Sequence, residues 1–327
     1  MKKRNKLYNA LALTLSALAF ASCNDFLDTM PDNRAQVDTE QKVQSILVSA
    51  YIDHEPIMVA EIISDNVDDF GENNPNTDRW FDDTFAWKDE TEDSNESLNS
   101  FWESAFVSIA SANQALQAIE ELEGSTTSNT LNECKAEALL CRAYNHFILA
   151  CMFCKHYSNS ADNDLGLPYI EKPETELNPQ YKRGTLAELY EKIDHDIQEA
   201  LPLVGDSYYT VPKYHFNTKA AYAFACRFYL YYEKWEEALK YANLCLGSQA
   251  KTMLRDWKSM ANMTQQADAI TNEYINASSN ANLLLLTGFS RIGVMFGPYK
   301  NYSRYNHGRY LALNEDMGAT NIWGNSS

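Results

Sequence analysis

Val43, Ile46, Leu47, Ala50 and Tyr51 recur at helical spacing behind an Asp38/Thr39 cap, which predicts an amphipathic helix over 39–53. The stretch 94–122 repeats the pattern through Leu98, Phe101, Trp102, Ala105, Phe106, Ile109, Leu116 and Ile119, with Gly124 as its stop. A third helix is expected from about 130 to 157, around Leu139, Tyr144, Phe147, Ile148 and Cys151. Pro168, Pro173 and Pro179 then mark 158–183 as loop, and Thr185-Leu-Ala-Glu188 reads as a capping box that opens a helix to Pro202. Two more helices, at about 218–232 and 234–246, make a hairpin. Its Trp235-Glu-Glu-Ala238-Leu239-Lys-Tyr241-Ala242 has the small-then-large rhythm of a tetratricopeptide helix. Tyr222, Phe224, Phe228, Tyr229 and Tyr232 fall on this hairpin and read as core. Past 250 the pattern changes: Leu283–Leu286 suits a buried strand, and 288–310 is rich in Gly, Tyr, Asn and Arg. The fold class that follows is mainly α, a tetratricopeptide-like helical repeat core over about 39–250 with long decorated loops and a loop-rich part over 251–327.

The first 22 residues stand apart from this pattern. Lys2, Lys3, Arg4 and Lys6 precede a mostly apolar run from Leu7 to Ala21, too short to span a bilayer of about 30 Å, so 1–22 reads as an export signal. The run ends in Phe20-Ala21-Ser22-Cys23, similar to a bacterial lipobox, which makes Cys23 the expected site of lipidation and outer-membrane lipid a partner. Residues 23–327 are then a single domain. Asn24-Asp25-Phe26-Leu27-Asp28 resembles the acidic tag that sends lipoproteins of Bacteroides-type bacteria to the outer face of the outer membrane.

Composition narrows the classes of function. The formal net charge is −18, and the export segment holds four of the cations, so the remainder is more acidic still. Such a chain has no electrostatic footprint for nucleic acid. Apart from Cys23, Cys134, Cys141, Cys151 and Cys154 share one helical pattern and, with Cys226 and Cys245, read as small buried hydrophobes. No phosphate-binding glycine loop, H-E-x-x-H or G-x-S-x-G is present, and no cofactor is implied. Asp162-Asn-Asp164-Leu-Gly166 resembles the start of a calcium loop, but its glycine comes early and Pro173 stands where the closing Glu belongs, so it reads as a turn. His146, His156 and His195 lack a repeated partner and read as core or surface residues.

Aromatic content carries the positive signal: 20 Tyr, 14 Phe and 6 Trp. The polar loop 65–95 places Asp65, Asn66, Trp80, Phe81, Phe85 and Trp87 among Asp, Asn and Thr. Sugars present flat C–H faces rimmed by hydroxyls, so aromatic platforms beside amides and carboxylates suit a glycan. The other reading of Trp80 and Trp87 is that they fold inward and pin the loop to the helices.

Several stretches in order resemble the RagB/SusD outer-membrane nutrient-uptake lipoproteins. They are Cys23-Asn-Asp25-Phe26-Leu27-Asp28-x-x-Pro31, Phe101-Trp102 through Asn113, Glu137 through Phe147 with Arg142, Gly166-Leu-Pro168-Tyr-Ile, Arg183-x-Thr185 through Ala200, and Thr218-Lys-Ala220-Ala221. The resemblance implies a tetratricopeptide-like fold, no catalysis, and a lid on a SusC-type TonB-dependent barrel that captures oligo- or polysaccharide. It also implies that Tyr299, Asn301, Tyr302, Arg304 and Tyr305 belong to the region facing the ligand. Members of that family are usually longer, so this chain is expected to be a short or truncated member. The competing class is a non-catalytic protein-interaction scaffold whose aromatics are structural. An exported glycosidase stands third.

Overall fold

Helices carry most of the computed structural model, which describes residues 37–73, 78–123, 128–177, 179–264, 266–296, 303–311 and 314. The expected export segment 1–22, Cys23, Tyr299, Asn301 and Tyr302 lie outside these residues. By internal contacts Asp38–Ser327 is one unit and Met1–Val37 another.

Local sequence sets the helix starts. Thr39 caps α1 (Glu40–Leu47) by accepting the Lys42 N–H; a short 3₁₀ turn over Val48–Ala50 ends it, before residue 53, the limit read from the sequence. After α2 (Ile57–Ile62) and α3 (Arg79–Phe85) come the two long helices, α4 (Leu98–Glu123) and α5 (Asn129–Phe153). The Thr185/Glu188 capping box forms with both of its bonds and opens α6 (Leu186–Ala200). Asn217 caps α7 (Thr218–Tyr231), which pairs with α8 (Trp235–Leu246). Short helices α9 (Trp257–Ala261), α10 (Ala267–Tyr274), α11 (Ile292–Met295) and α12 (Arg309–Leu311) follow.

The helices stack in order: α4 on α5, α5 on α6, and α7 on α8, with α1 against α4 and α5. Buried residues occur all round α5, which makes it the central helix rather than an amphipathic surface one. Phe224, Phe228, Tyr229 and Tyr232 are buried, the core role read from the sequence, whereas Tyr222 is only half-buried.

Polar side chains inside this stack are paired. Arg142 on α5 donates from Nε and Nη2 to the two oxygens of Asp196 on α6, at 2.6 and 2.7 Å, and from Nη1 to Asn113 on α4 at 2.9 Å. Tyr169 adds its hydroxyl to Asp196. His146 donates from Nδ1 to the Arg142 carbonyl at 2.8 Å and accepts the Ile170 N–H on Nε2 at 3.1 Å. Burial pushes its pKa down to about 3, so it stays neutral. Gly166 approaches Thr185 so closely that a Cβ there would meet the Thr185 carbonyl oxygen at 2.5 Å. These residues thus fasten three helices and the 165–171 loop.

One expectation fails. Leu283–Leu286 forms no strand: it is half-buried, the Leu285 N–H donates to the Lys213 carbonyl at 2.7 Å, and the Leu283 carbonyl accepts from the Asn217 side chain at 2.8 Å. An apolar run states burial, not pairing, and among the described residues no neighbouring strand offers it a ladder. The paired strands among the described residues are β1 (Val67–Asp69) and β2 (Tyr305–His307), antiparallel with Val67 opposite His307.

Candidate ligand surface

The predicted aromatic loop is in part a helix. Trp80, Phe81 and Thr84 of α3 point inward, where Trp80 and Phe81 join Met58, Val59, Ile62, Val67, Met295 and Tyr305 in a second core cluster. Trp80 is 1% exposed. Its ring faces are covered, which corrects its reading as a sugar platform: it takes the inward, pinning role instead. Trp80 and Phe81, with Phe85 four residues beyond Phe81, form a helical stripe hidden by the surrounding polar residues.

Trp87 behaves in the opposite way. The chain leaves α3 through a left-handed capping turn, in which Trp87 N–H donates to Thr84 O at 3.0 Å and Lys88 N–H to Asp83 O at 2.9 Å. Trp87 occupies the left-handed position at φ 55°, where glycine is the usual residue because a Cβ is strained there. Its side chain is 75% exposed. The loop beyond it is held without the indole. Thr91 donates to Asp83 from its N–H at 3.0 Å and its hydroxyl at 2.6 Å. Glu90 accepts the Thr84 hydroxyl at 2.8 Å and the Leu98 N–H, at the start of α4, at 2.9 Å. The Thr91 bonds hold the Asp83 carboxyl below the usual range, whereas burial raises that of Glu90. A strained backbone presenting a large ring to solvent, with no role in pinning its own loop, is an observation that points to function.

The β1–β2 ladder brings Arg304 and Tyr305, from the second predicted patch, against the first. Arg304 donates to both oxygens of Asp69 at 2.8 Å and to Asp82 on α3 at 3.1 Å; the Tyr305 hydroxyl also reaches Asp82, at 2.6 Å. The Phe85 ring lies 4.8 Å from that of Tyr305. Arg304 is therefore engaged as a clamp between the ladder and α3, with its charge neutralised on the spot. Asn66 donates to Glu61 at 3.2 Å, and the same carboxylate oxygen meets His307 Nε2 at 3.0 Å. Asp65 is exposed beside them. Tyr299, Asn301 and Tyr302 lie outside the described residues, so they are not placed.

Two further exposed rings border the ladder, Phe70 just after β1 and Tyr310 in α12. Phe70 lies inside the predicted polar loop, between Asp69 and Gly71, and Tyr310 ends the Gly/Tyr/Asn/Arg-rich stretch 288–310; nothing in the local pattern of either distinguishes an exposed ring from a buried one. The resulting surface offers exposed rings with carboxylates and amides alongside, a mixture that can stack on an apolar ring face and accept hydrogen bonds from its hydroxyls. The 160–164 segment is a turn in which Asp164 meets Lys155 at 2.5 Å and the Ser160 hydroxyl at 2.5 Å. No cluster of three or more His, Cys, Asp or Glu able to hold a metal occurs among the described residues. None of the described helices is long and apolar enough to cross a membrane.

Comparison with known proteins agrees with this architecture. No curated protein matches the chain. A SusD superfamily protein from Bacteroides thetaiotaomicron superposes with a TM-score of 0.56 at 21% identity, over 70% of this chain and 50% of that one. A SusD superfamily protein from Bacteroides fragilis gives 0.55 at 19% identity, over 69% and 53%. A SusD-like carbohydrate binding protein from Bacteroides vulgatus gives 0.56 at 17% identity, over 88% and 63%. At these identities the match is one of fold, and the chain spans between half and two thirds of the length of these structures. The family model described as "Starch-binding associating with outer membrane" matches residues 25–230. The chain belongs to that SusD-like family.

Proposed function

We propose that the protein is a non-catalytic glycan-binding lipoprotein of the outer membrane, anchored through Cys23 and delivering its ligand to a SusC-type TonB-dependent barrel. Trp87 carries the reading of the ligand surface. An exposed indole in a turn that favours glycine costs stability, and stacking on a sugar gives that cost a purpose. Phe70 and Tyr310 extend the platform, while Asp65 and Asn66 supply hydrogen-bonding groups at its edge. Trp80 and Arg304 position it from beneath. Membership of a family described as starch-binding and associating with the outer membrane supports the glycan and the outer membrane; the sequence around Cys23 supports the anchor.

Affinity electrophoresis of the purified protein through gels containing neutral polysaccharides tests the binding. Retardation by at least one, with no release of sugar, is expected. Hydrolysis of the retained polysaccharide would overturn the non-catalytic assignment. Replacing Cys23→Ala should release the protein from membranes with its helical content intact. Extraction in mild detergent should recover it with a large barrel protein.

The scaffold reading retains one observation of its own. Trp235, Leu239 and Leu246 lie on α8 with their side chains exposed. Recovery of a protein partner with no retardation in any gel would favour it.

A further inference from the structure

A cleft of about 550 Å³ lies between the end of α1, the first half of α4, and the strap Leu285–Thr287, and Trp87 is not among its lining residues. We propose that this cleft is a second ligand site, which takes one or two pyranose units of a neutral sugar and rejects acidic ones. The inference goes beyond the reading of the Trp87 surface and does not depend on it.

Volume is the first argument. Ligand pockets run from about 300 to 1,000 Å³, so this one has room for a small ligand but not for a protein segment. Its walls are the second. Val48, Val107, Leu285 and Leu286 supply apolar surface, and Tyr214, nearly half exposed in a 3₁₀ turn, supplies a ring. Hydroxyls come from Ser49, Ser104 and Ser108. The Ser104 hydroxyl donates to Asp53 Oδ1 at 2.6 Å, and His54 Nδ1 meets the same oxygen at 2.7 Å. Asp53 Oδ2 has no partner among the described residues and is open to a ligand hydroxyl. Burial works to raise the pKa of Asp53, but the bonds from Ser104 and His54 outweigh it and hold the carboxyl below its ordinary value.

Charge decides the ligand class. The lining holds a carboxylate and neither Lys nor Arg. His215 Nδ1 meets the buried Glu137 at 2.7 Å, so that carboxylate is partnered behind the wall and does not face the cleft. Glu137 also accepts the Tyr51 hydroxyl at 2.5 Å, and that hydroxyl in turn accepts the Phe216 N–H at 2.7 Å. The polar wall is thus fixed from behind before any ligand arrives, which lowers the cost of ordering it. A uronic acid or sulfated sugar would face Asp53 without a counter-charge, whereas a neutral sugar meets an acceptor, hydroxyls and a ring.

Saturation-transfer NMR with maltose, cellobiose, lactose and mannobiose as neutral probes, and digalacturonic acid as the acidic one, tests the site. At least one neutral disaccharide should bind and digalacturonic acid should not. Tyr214→Ala should weaken that binding about tenfold, the effect of one stacking ring. Ser49→Trp, which fills the cleft from an exposed position, should abolish it, and Asp53→Asn should admit digalacturonic acid. Melting curves on each variant separate loss of the site from loss of the fold. Each variant is also measured in a Trp87→Ala background, so that sugar held at that turn does not enter the comparison. No binding by any neutral probe, binding of digalacturonic acid by the unaltered protein, or binding insensitive to both Tyr214→Ala and Ser49→Trp in folded protein overturns the proposal.

Discussion

Two helix ends in this protein adopt the same left-handed turn and use it differently. At the end of α7, Glu233 sits at φ 59°, with Lys234 N–H donating to Tyr229 O at 2.9 Å. At the end of α3, Trp87 sits at φ 55°, with Lys88 N–H donating to Asp83 O at 2.9 Å. Behind both turns lie buried aromatics, Phe228 and Tyr229 in one helix and Trp80 and Phe81 in the other. The turns differ in the residue at the strained position. A charged chain in the α7–α8 connection is ordinary solvent-facing sequence, whereas an exposed indole is costly to keep in water. Backbone strain by itself therefore does not mark the site; strain combined with an exposed apolar ring does.

The largest effects should show that the inward sides of the two regions are equivalent. Trp80→Ala and Phe228→Ala should each cost about 3–5 kcal/mol of stability, as truncation of a buried aromatic does. Chemical denaturation of both variants checks this. A loss below about 1 kcal/mol at Trp80 would break the comparison by showing that its ring is dispensable to the core. Trp80→Phe should cost less than Trp80→Ala, because the ring space stays largely filled and the indole N–H has no acceptor among the described residues.

How much of this could be read in the sequence follows from the range of each interaction. The α6 capping box was legible because both of its bonds lie within four residues. Helices α4, α5, α7 and α8 were legible through their apolar spacing. The ladder was not, since the Arg304–Asp69 pair joins residues 235 apart and β1 and β2 are too short to show alternation. The sequence placed Trp80 and Trp87 in one polar loop and left both fates open. What separates them is the register of α3, which turns residue 80 toward Met58 and Tyr305 and ends before residue 87. The strap 283–286 misled because an apolar run looks alike whether it joins a sheet or lines a cleft.

A smaller effect concerns the clamp beneath the Trp87 surface. The hydrogen bonds from Arg304 hold the Asp69 carboxyl below its ordinary range. A depressed carboxyl contributes stability above its unfolded pKa of about 3.9 and loses it as pH falls through the folded value. Amide exchange at Phe70 and Gly308, whose N–H groups bond Arg304 O and Asn66 O, should therefore accelerate on acidification relative to amides of α5. Asp69→Asn should remove that acid-dependent part while leaving α5 unaffected. An exchange profile unchanged by the substitution would show that the clamp does not hold the ladder.

The paired substitutions Trp87→Gly and Glu233→Gly test the central claim most directly. Glycine suits both turns, so each variant should be as stable as the parent or more so, by up to about 1 kcal/mol. Retention by a polysaccharide that the parent binds should then fall about tenfold for Trp87→Gly, since a lost stacking ring is worth roughly a decade in affinity, and stay unchanged for Glu233→Gly. Equal retention by both variants would contradict the assignment of Trp87 as the platform.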